Sequence, residues 1–219
     1  MWTANVDLYC ERLGPGLFAE PVNAVTNAAF FVAAWMLWRE ISRQGTRPPA
    51  VMLLIALIVA IGIGSSLFHT LALTWARWLD ITPILLFQLA FLWLYARRVV
   101  GWHAASAATL VAAFLAAALY GRQFPHLLGG SLMYAPAIVA LLALGLYHWL
   151  TRKPAPLLLI AAAGVFAVSL FVRTIDEAVC PYFPLGTHFL WHVLNPVVLY
   201  LCTRTLYAAM GANENREAQ

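Results

Sequence analysis

Three histidines, a serine and an aspartate stand out in an otherwise apolar chain. Ser65 and His69 are four residues apart, and Asp80 follows them after a short connection. His188 and His192 are again four residues apart, close to the C-terminal end. Residues with this spacing share one face of a helix. Ionisable groups near hydrocarbon are energetically costly, so each of these side chains needs a structural or functional reason.

The histidines have the number and spacing of a zinc site. Two histidines at positions i and i+4 present both imidazoles to one point, as in helical zinc sites. A third histidine from a facing helix leaves a fourth position for water, as in catalytic zinc sites, whereas structural sites are usually closed by four protein ligands. Zinc lowers the pKa of bound water to about 7 and polarises a carbonyl group, which favours hydrolysis. The predicted zinc ligands are therefore His69, His188 and His192.

Asp80 and Ser65 are the candidate catalytic residues. Asp80 is placed to act as the general base that takes a proton from water and returns it to the leaving group. Ser65 is placed to donate a hydrogen bond either to the metal-bound oxygen or to the developing oxyanion. A lone intramembrane histidine more often forms an interhelical hydrogen bond, so the prediction depends on all five residues lying at one depth. Three further histidines lie at loops or helix ends and receive no role: His103, His126 and His148.

The elements that must position these residues are membrane-spanning helices. The chain has 219 residues, 63% of them hydrophobic and 10% charged, whereas soluble domains have about 45–50% and 25%. Its basic residues are scattered and form no patch for nucleic acid. Windows of about 20 apolar residues predict an all-α integral membrane protein. The expected seven-transmembrane-helix bundle has spans at residues 21–39, 50–69, 79–96, 102–120, 131–150, 155–173 and 187–208.

The basic residues predict how this bundle is oriented. Seven spans put the termini on opposite sides, and the side with more Lys and Arg is normally cytoplasmic. Nine basic residues lie on the side of the C-terminus: Arg39, Arg43, Arg47, Arg97, Arg98, Arg152, Lys153, Arg204 and Arg216. Four lie on the other side: Arg12, Arg77, Arg122 and Arg173. We therefore expect the N-terminus outside and the C-terminus in the cytoplasm, with the polar site near the outer face.

The same reading gives the domain organisation. We expect one membrane domain over residues 1–210, whose residues 1–20 form an extracytoplasmic segment, and a polar C-terminal tail over residues 211–219. The N-terminal residues lack a basic stretch followed by an apolar one, so no cleaved signal peptide is expected. High Ala, Leu and Arg usage favours a bacterial source, for which the membrane would be the inner membrane.

The sequence resembles the alkaline ceramidase family, within the superfamily of seven-span hydrolases that includes the adiponectin and progestin receptors. The signature of that superfamily is Ser-x3-His in span 2, Asp at the start of span 3 and His-x3-His in span 7. It stands here as Ser65–His69, Asp80 and His188–His192. The segments "DLYCE", "EPVNAVTN" and "GTHFLWHVLN" are similar to the ceramidase branch. The resemblance covers nearly the whole chain, in order.

The resemblance implies a zinc-dependent hydrolase of linear amide C–N bonds, with Asp80 and Ser65 assisting hydrolysis. It also implies a calcium ion bound by acidic residues of the N-terminal segment, which would be Asp7, Glu11 and Glu20. Asp7 is displaced by one position from the family pattern, and the alternative is a solvated acidic segment. Carboxylates are ligands that calcium accepts.

The resemblance further implies a disulfide between Cys10 and Cys180, while Cys202 lies within span 7 as a free, buried thiol. Both paired cysteines are expected outside the membrane, where disulfides persist. Arg173 and Asp176 are the remaining charges near the site. For these two we favour an ion pair that orients the rim over a contact with a lipid headgroup.

The expected substrate is ceramide or a ceramide-like lipid that enters from the bilayer. One alternative is the same chemistry on another lipid amide or an ester. A second is a non-enzymatic, receptor-like protein with a structural zinc, although a closed site has no need of a base such as Asp80. A bis-histidine haem would take its two ligands from facing helices, whereas His188 and His192 lie on the same helix. Transport is disfavoured because the polar residues gather at one end.

Overall fold

The computed structural model describes the backbone of residues 2–217 and the side chains of residues 2–212. Within this part of the chain the protein consists of helices and loops, with a single isolated bridge between Asn5 and Leu73. The all-α prediction is therefore confirmed. The long helices are α1 Pro21–Arg43, α2 Pro49–Leu71, α3 Thr74–Val100, α4 Ala104–Gly121, α5 Leu127–Leu150, α6 Leu158–Thr174 and α7 His188–Glu217.

The described chain contains six helices that are long and apolar enough to cross a membrane, and α6 is a shorter apolar helix of 17 residues. Large apolar side chains cover the outside of the bundle. A contiguous apolar surface of this kind requires lipid or another apolar partner. The chain is therefore a multi-pass membrane protein. Examples of these exposed side chains are Phe31, Trp35, Val139, Leu142, Leu146 and Phe171.

Several helices begin or end away from the predicted positions. Pro21 and Pro49 start α1 and α2 as predicted, because proline suits the first turn of a helix. Helix α3 begins at Thr74, five residues before the predicted start, so Asp80 lies in its second turn. Helix α7 continues past the predicted residue 208 as far as Glu217.

The close packing of α2 against α3 brings two of the candidate residues together. A Cβ atom at Gly64 would overlap the carbonyl oxygen of Leu79, so glycine permits the two backbones to approach. The next residue, Ser65, consequently lies within hydrogen-bonding reach of Asp80. Helix α7 packs against α1 and α6 and also contacts α2, which brings its histidines to the same end of the bundle.

The N-terminal segment lies across this end of the bundle. The backbone N–H of Val6 donates to the carbonyl of Ala72 at 2.8 Å, and that of Thr74 donates to Ala4 at 3.0 Å. These bonds attach the segment to the connection between α2 and α3. Farther along, the segment reaches the start of α7, where Cys10 contacts Asp176 and Tyr9 contacts His188, so it covers this end of the bundle.

Candidate metal centre and active site

The three predicted zinc ligands converge where α2 ends and α7 begins. His69 lies in the last turn of α2, whereas His188 and His192 lie in the first two turns of α7. Their ligand atoms are all within 4.8 Å of one another, and all three side chains are buried. Among the described residues, His69 Nε2 and His188 Nδ1 have no hydrogen-bond partner. Unpaired buried nitrogens are costly, so this cluster fits a bound metal ion.

Neighbouring side chains fix the orientation of each imidazole ring. His69 Nδ1 lies 2.5 Å from a carboxylate oxygen of Glu20, and His192 Nδ1 lies 3.2 Å from the hydroxyl of Thr26. The ring of Tyr9 stacks on His188, with the ring centres 3.6 Å apart. Contacts of this kind select the tautomer and increase the metal affinity of a histidine. No roles for Thr26 and Tyr9 were predicted from the sequence. The only sequence signal for them is that they lie a few positions along the chain from Glu20 and Glu11.

Asp80 faces the histidines across a cavity of about 390 Å³. The carboxylate of Asp80, which is buried, lines this cavity together with His188 and His192. A second cavity of about 70 Å³ is lined almost entirely by apolar side chains and shares Tyr134 and Trp191 with the first. A polar cavity at the histidines of α7 and an apolar cavity between the helices are therefore neighbours.

Asp176 anchors both the N-terminal segment and the start of α7. Its carboxylate accepts hydrogen bonds from the backbone N–H groups of Cys10 at 3.1 Å, Thr187 at 2.6 Å and His188 at 2.8 Å. A Cβ atom at Gly186 would overlap this carboxylate, so the turn before α7 needs glycine, which also has a positive φ there. Asp176 therefore sets the position of His188.

The predicted disulfide between Cys10 and Cys180 is present, with a Cα–Cα distance of 5.4 Å, and Cys202 is a free, buried cysteine as predicted. The favoured ion pair between Arg173 and Asp176 is absent from the ion pairs of the described residues. Backbone N–H groups occupy the Asp176 carboxylate, and Arg173 donates instead to Ser131 Oγ at 2.7 Å and to the carbonyl of Gly129.

A sequence model of the Ceramidase family matches residues 3–219, which is nearly the entire chain. The chain belongs to the ceramidase family. None of the curated proteins matches it. Membership in the ceramidase family implies a membrane hydrolase that acts on an amide bond, and the three buried histidines give this member a place where a metal ion could bind.

In this member of the ceramidase family, the side chain of Arg12 connects the N-terminal segment to Glu20 and to the end of α2. Its Nε donates to Glu20 Oε1 at 2.5 Å, and both side chains are buried. Its other nitrogens donate to the carbonyls of Gly14 at 3.2 Å and His69 at 3.4 Å. Burial by itself would raise the pKa of Glu20, but the hydrogen bonds and charges of His69 and Arg12 outweigh it and lower that pKa. Glu20 is therefore an ionised carboxylate that Arg12, His69 and the side-chain amide of Asn23 contact.

The three carboxylates expected to bind calcium do not come together. Asp7 is exposed. Glu11 accepts backbone hydrogen bonds from Val22 at 2.6 Å and Asn23 at 2.8 Å, and so satisfies the start of α1. Glu20 is already bound by Arg12 and His69. Among the described residues these three carboxylates form no group of ligand atoms close enough to share one ion, and the Arg12 guanidinium already pairs with Glu20, so the arrangement does not fit a calcium ion.

Replacing Arg12 should therefore destabilise the protein, and calcium should not restore it. We expect Arg12→Met to lower the free energy of unfolding by about 3 kcal/mol, because the buried charge of Glu20 loses its guanidinium partner and keeps only His69 and the side-chain amide of Asn23. The measurement is thermal unfolding of the detergent-purified protein, in calcium and in a calcium chelator.

Arg204→Met is the matched control for this variant. Arg204 pairs with Glu40 at 3.0 Å, but with 44% of its side chain exposed, and exposed pairs contribute about 0–1 kcal/mol. Equal losses in the two variants, or a wild-type unfolding temperature that rises with calcium, would contradict the role assigned to Arg12.

Proposed function

We propose that this chain is a zinc-dependent membrane hydrolase that cleaves the N-acyl amide bond of ceramide or a ceramide-like lipid. The observation that carries the proposal is the convergence of His69, His188 and His192 within 4.8 Å, beside a cavity that His188, His192 and Asp80 line. Membership in the ceramidase family supports the choice of an amide bond.

The proposed zinc ligands are His69, His188 and His192. When bound there, zinc supplies a Lewis acid and lowers the pKa of water. Asp80 takes a proton from the attacking water and delivers it to the amine as the C–N bond breaks. Ser65 hydrogen-bonds Asp80 and so holds its carboxylate towards the cavity. The products are a fatty acid and a free amine, and one water is consumed.

The two neighbouring cavities support a lipid substrate. The apolar cavity between the helices offers space for part of an acyl chain, and the polar cavity at the histidines offers space for the amide and the headgroup. Tyr134 and Trp191 line both, so they would lie beside the substrate where its apolar part meets the amide. We propose that the substrate enters sideways from the bilayer.

We further propose that all seven long helices span the membrane, with α6 as the shortest. The N-terminus would then lie outside and the C-terminus in the cytoplasm, as the excess of Lys and Arg at the C-terminal side indicates. On this arrangement residues 1–210 form one membrane domain, with residues 1–20 covering the site from outside and residues 211–219 extending into the cytoplasm.

The test of the proposed function is a substrate panel assayed on the purified protein in lipid nanodiscs. Ceramide, other N-acyl lipids and an acyl ester are each incubated with it, and free fatty acid and amine are detected by mass spectrometry. We expect release from the amides, loss of release after a strong zinc chelator, and recovery on adding zinc.

The other outcomes of this panel correspond to different functions. Release from the ester alone would identify an esterase that uses the same residues. No release from any lipid, with zinc retained by the protein, would favour a receptor-like protein with a structural zinc. Release that is unaffected by metal removal would contradict the zinc-dependent mechanism.

A further inference from the structure

Three arginines line the polar cavity that contains Asp80 and the histidines of α7. They are Arg77 from the first turn of α3, Arg122 just after α4, and Arg173 near the end of α6. Three separate elements thus direct a guanidinium to one wall of the candidate active site. The proposed hydrolysis of ceramide, whose headgroup is uncharged, gives these residues no role.

Aromatic rings and polar groups hold two of these guanidinium groups in place. Arg122 lies over the ring of Trp78 at 4.8 Å, and Arg173 lies over Trp191 at 5.6 Å. Arg173 also donates to Ser131 Oγ at 2.7 Å. Stacking of this kind orients the guanidinium while leaving N–H donors at its edge free for an anion. Trp191 lies next to His192 in the chain, so this positioning extends to the candidate metal ligands.

The arginines form no ion pair with the acidic residues of the same cavity. In the described part of the chain, ion pairs within 4.0 Å involve Glu20 and Glu40 only. Asp176 accepts three backbone N–H groups instead. The guanidinium of Arg122, which is exposed, and the N–H groups of Arg173 beyond the one that donates to Ser131 and Gly129 therefore remain able to bind an anion from outside the protein.

We propose that this cavity selects substrates whose amine side carries an anionic group, a carboxylate or a phosphate, and that Arg173 and Arg122 bind it. The inference rests on the proposed function, since it names the substrate class of that same site. The reaction is unchanged: water adds its oxygen to the acyl carbon, the C–N bond breaks, and the amine leaves with a proton and with its anionic group.

Arginine suits this role because its planar guanidinium forms paired hydrogen bonds with carboxylate and phosphate groups. The surroundings of Arg173, which is partly buried, strengthen such bonds more than those of the exposed Arg122 do. A hydrogen bond to a charged group contributes enough to binding that removing one anchoring arginine should weaken it by about 10- to 100-fold.

The test measures binding separately from turnover. N-lauroylglycine and its uncharged counterpart N-lauroylglycinamide differ only in the carboxylate, and each is titrated calorimetrically into the Asp80→Asn protein, which should not turn them over. We expect the anionic ligand to bind about 10-fold tighter or more. Adding Arg173→Gln or Arg122→Gln should remove most of this difference, and Arg173→Lys should recover part of it.

Arg39→Gln is the matched control, because Arg39 also lies over a tryptophan ring, that of Trp35 at 5.2 Å, but does not line the cavity. A second pair of ligands, dodecyl phosphate and dodecanol, tests phosphate in place of carboxylate. The anionic group that binds more tightly than its uncharged counterpart is the one that the cavity selects. Equal binding of charged and uncharged ligands, or a preference that survives both substitutions, would overturn the proposal.

The proposal would also be overturned if anionic phospholipid in the nanodisc abolished the tighter binding of the anionic ligand. The arginines would then bind bulk lipid. The proposed function can fail independently, because it is tested by lipid hydrolysis, whereas this proposal is tested by binding. A protein that hydrolyses no lipid could still bind the anionic ligand more tightly than the uncharged one.

Discussion

His188→Ala is expected to reduce zinc from about one ion per chain to almost none, and to abolish hydrolysis with it. His188 Nδ1 is buried without a partner among the described residues, and the ring lies in the cluster with His69 and His192. Two histidines alone leave a site that rarely holds zinc through purification. Zinc content is measured by elemental analysis of detergent-purified protein.

The control is His103→Ala, which removes an exposed histidine at the start of α4. A second variant, His188→Gln, keeps a polar side chain under the stacked ring of Tyr9 and guards against loss of fold, which circular dichroism would detect. Zinc retained in a folded His188→Ala protein, or absent from the wild type, would mean that these histidines do not form the metal centre.

The positions of the histidines could be predicted from the sequence because helical spacing constrains them strongly. Residues four apart must share a helix face, and alternating spans must return to the same side of a membrane. These two constraints placed His69, His188 and His192 at one end of the bundle without any knowledge of loops. The structure brings their side chains together, although it begins α3 earlier than the hydropathy pattern indicated.

The N-terminal segment could not be predicted in the same way, because it has no periodic pattern that fixes its path. The sequence shows Glu20 as a carboxylate near other carboxylates, which favours a cation site. The structure shows that the cation is Arg12, eight residues earlier in the chain. The stacking of Tyr9 on His188 likewise depends on a path that the disulfide and Asp176 impose.

The polar cavity shows a similar limit. Arg77, Arg122 and Arg173 were counted from the sequence only as basic residues on the side with fewer positive charges. Hydropathy places each of them at a helix end but does not indicate that the three ends face one another. Their convergence depends on the packing order of α3, α4 and α6, which the sequence pattern alone leaves open.

Asp80→Asn is the second substitution expected to have a large effect, lowering kcat by about 10²- to 10⁴-fold with little change in KM. Asparagine preserves the shape of the side chain and a hydrogen bond from Ser65, but it cannot accept a proton from water. Because Asp80 is not among the clustered ligand atoms, zinc content should stay near one ion per chain. Turnover and metal content are measured on the same preparation.

Asp7→Asn makes the same chemical change at an exposed carboxylate of the N-terminal segment and serves as the matched control. A loss of zinc in Asp80→Asn would show that Asp80 is needed for metal binding. The fall in turnover would then give no support to its role as a base. Unchanged turnover would mean that the water is deprotonated elsewhere. Loss of kcat with zinc and fold retained is the result expected of a proton acceptor at Asp80, because the amide keeps the size and shape of the side chain but has no basic oxygen.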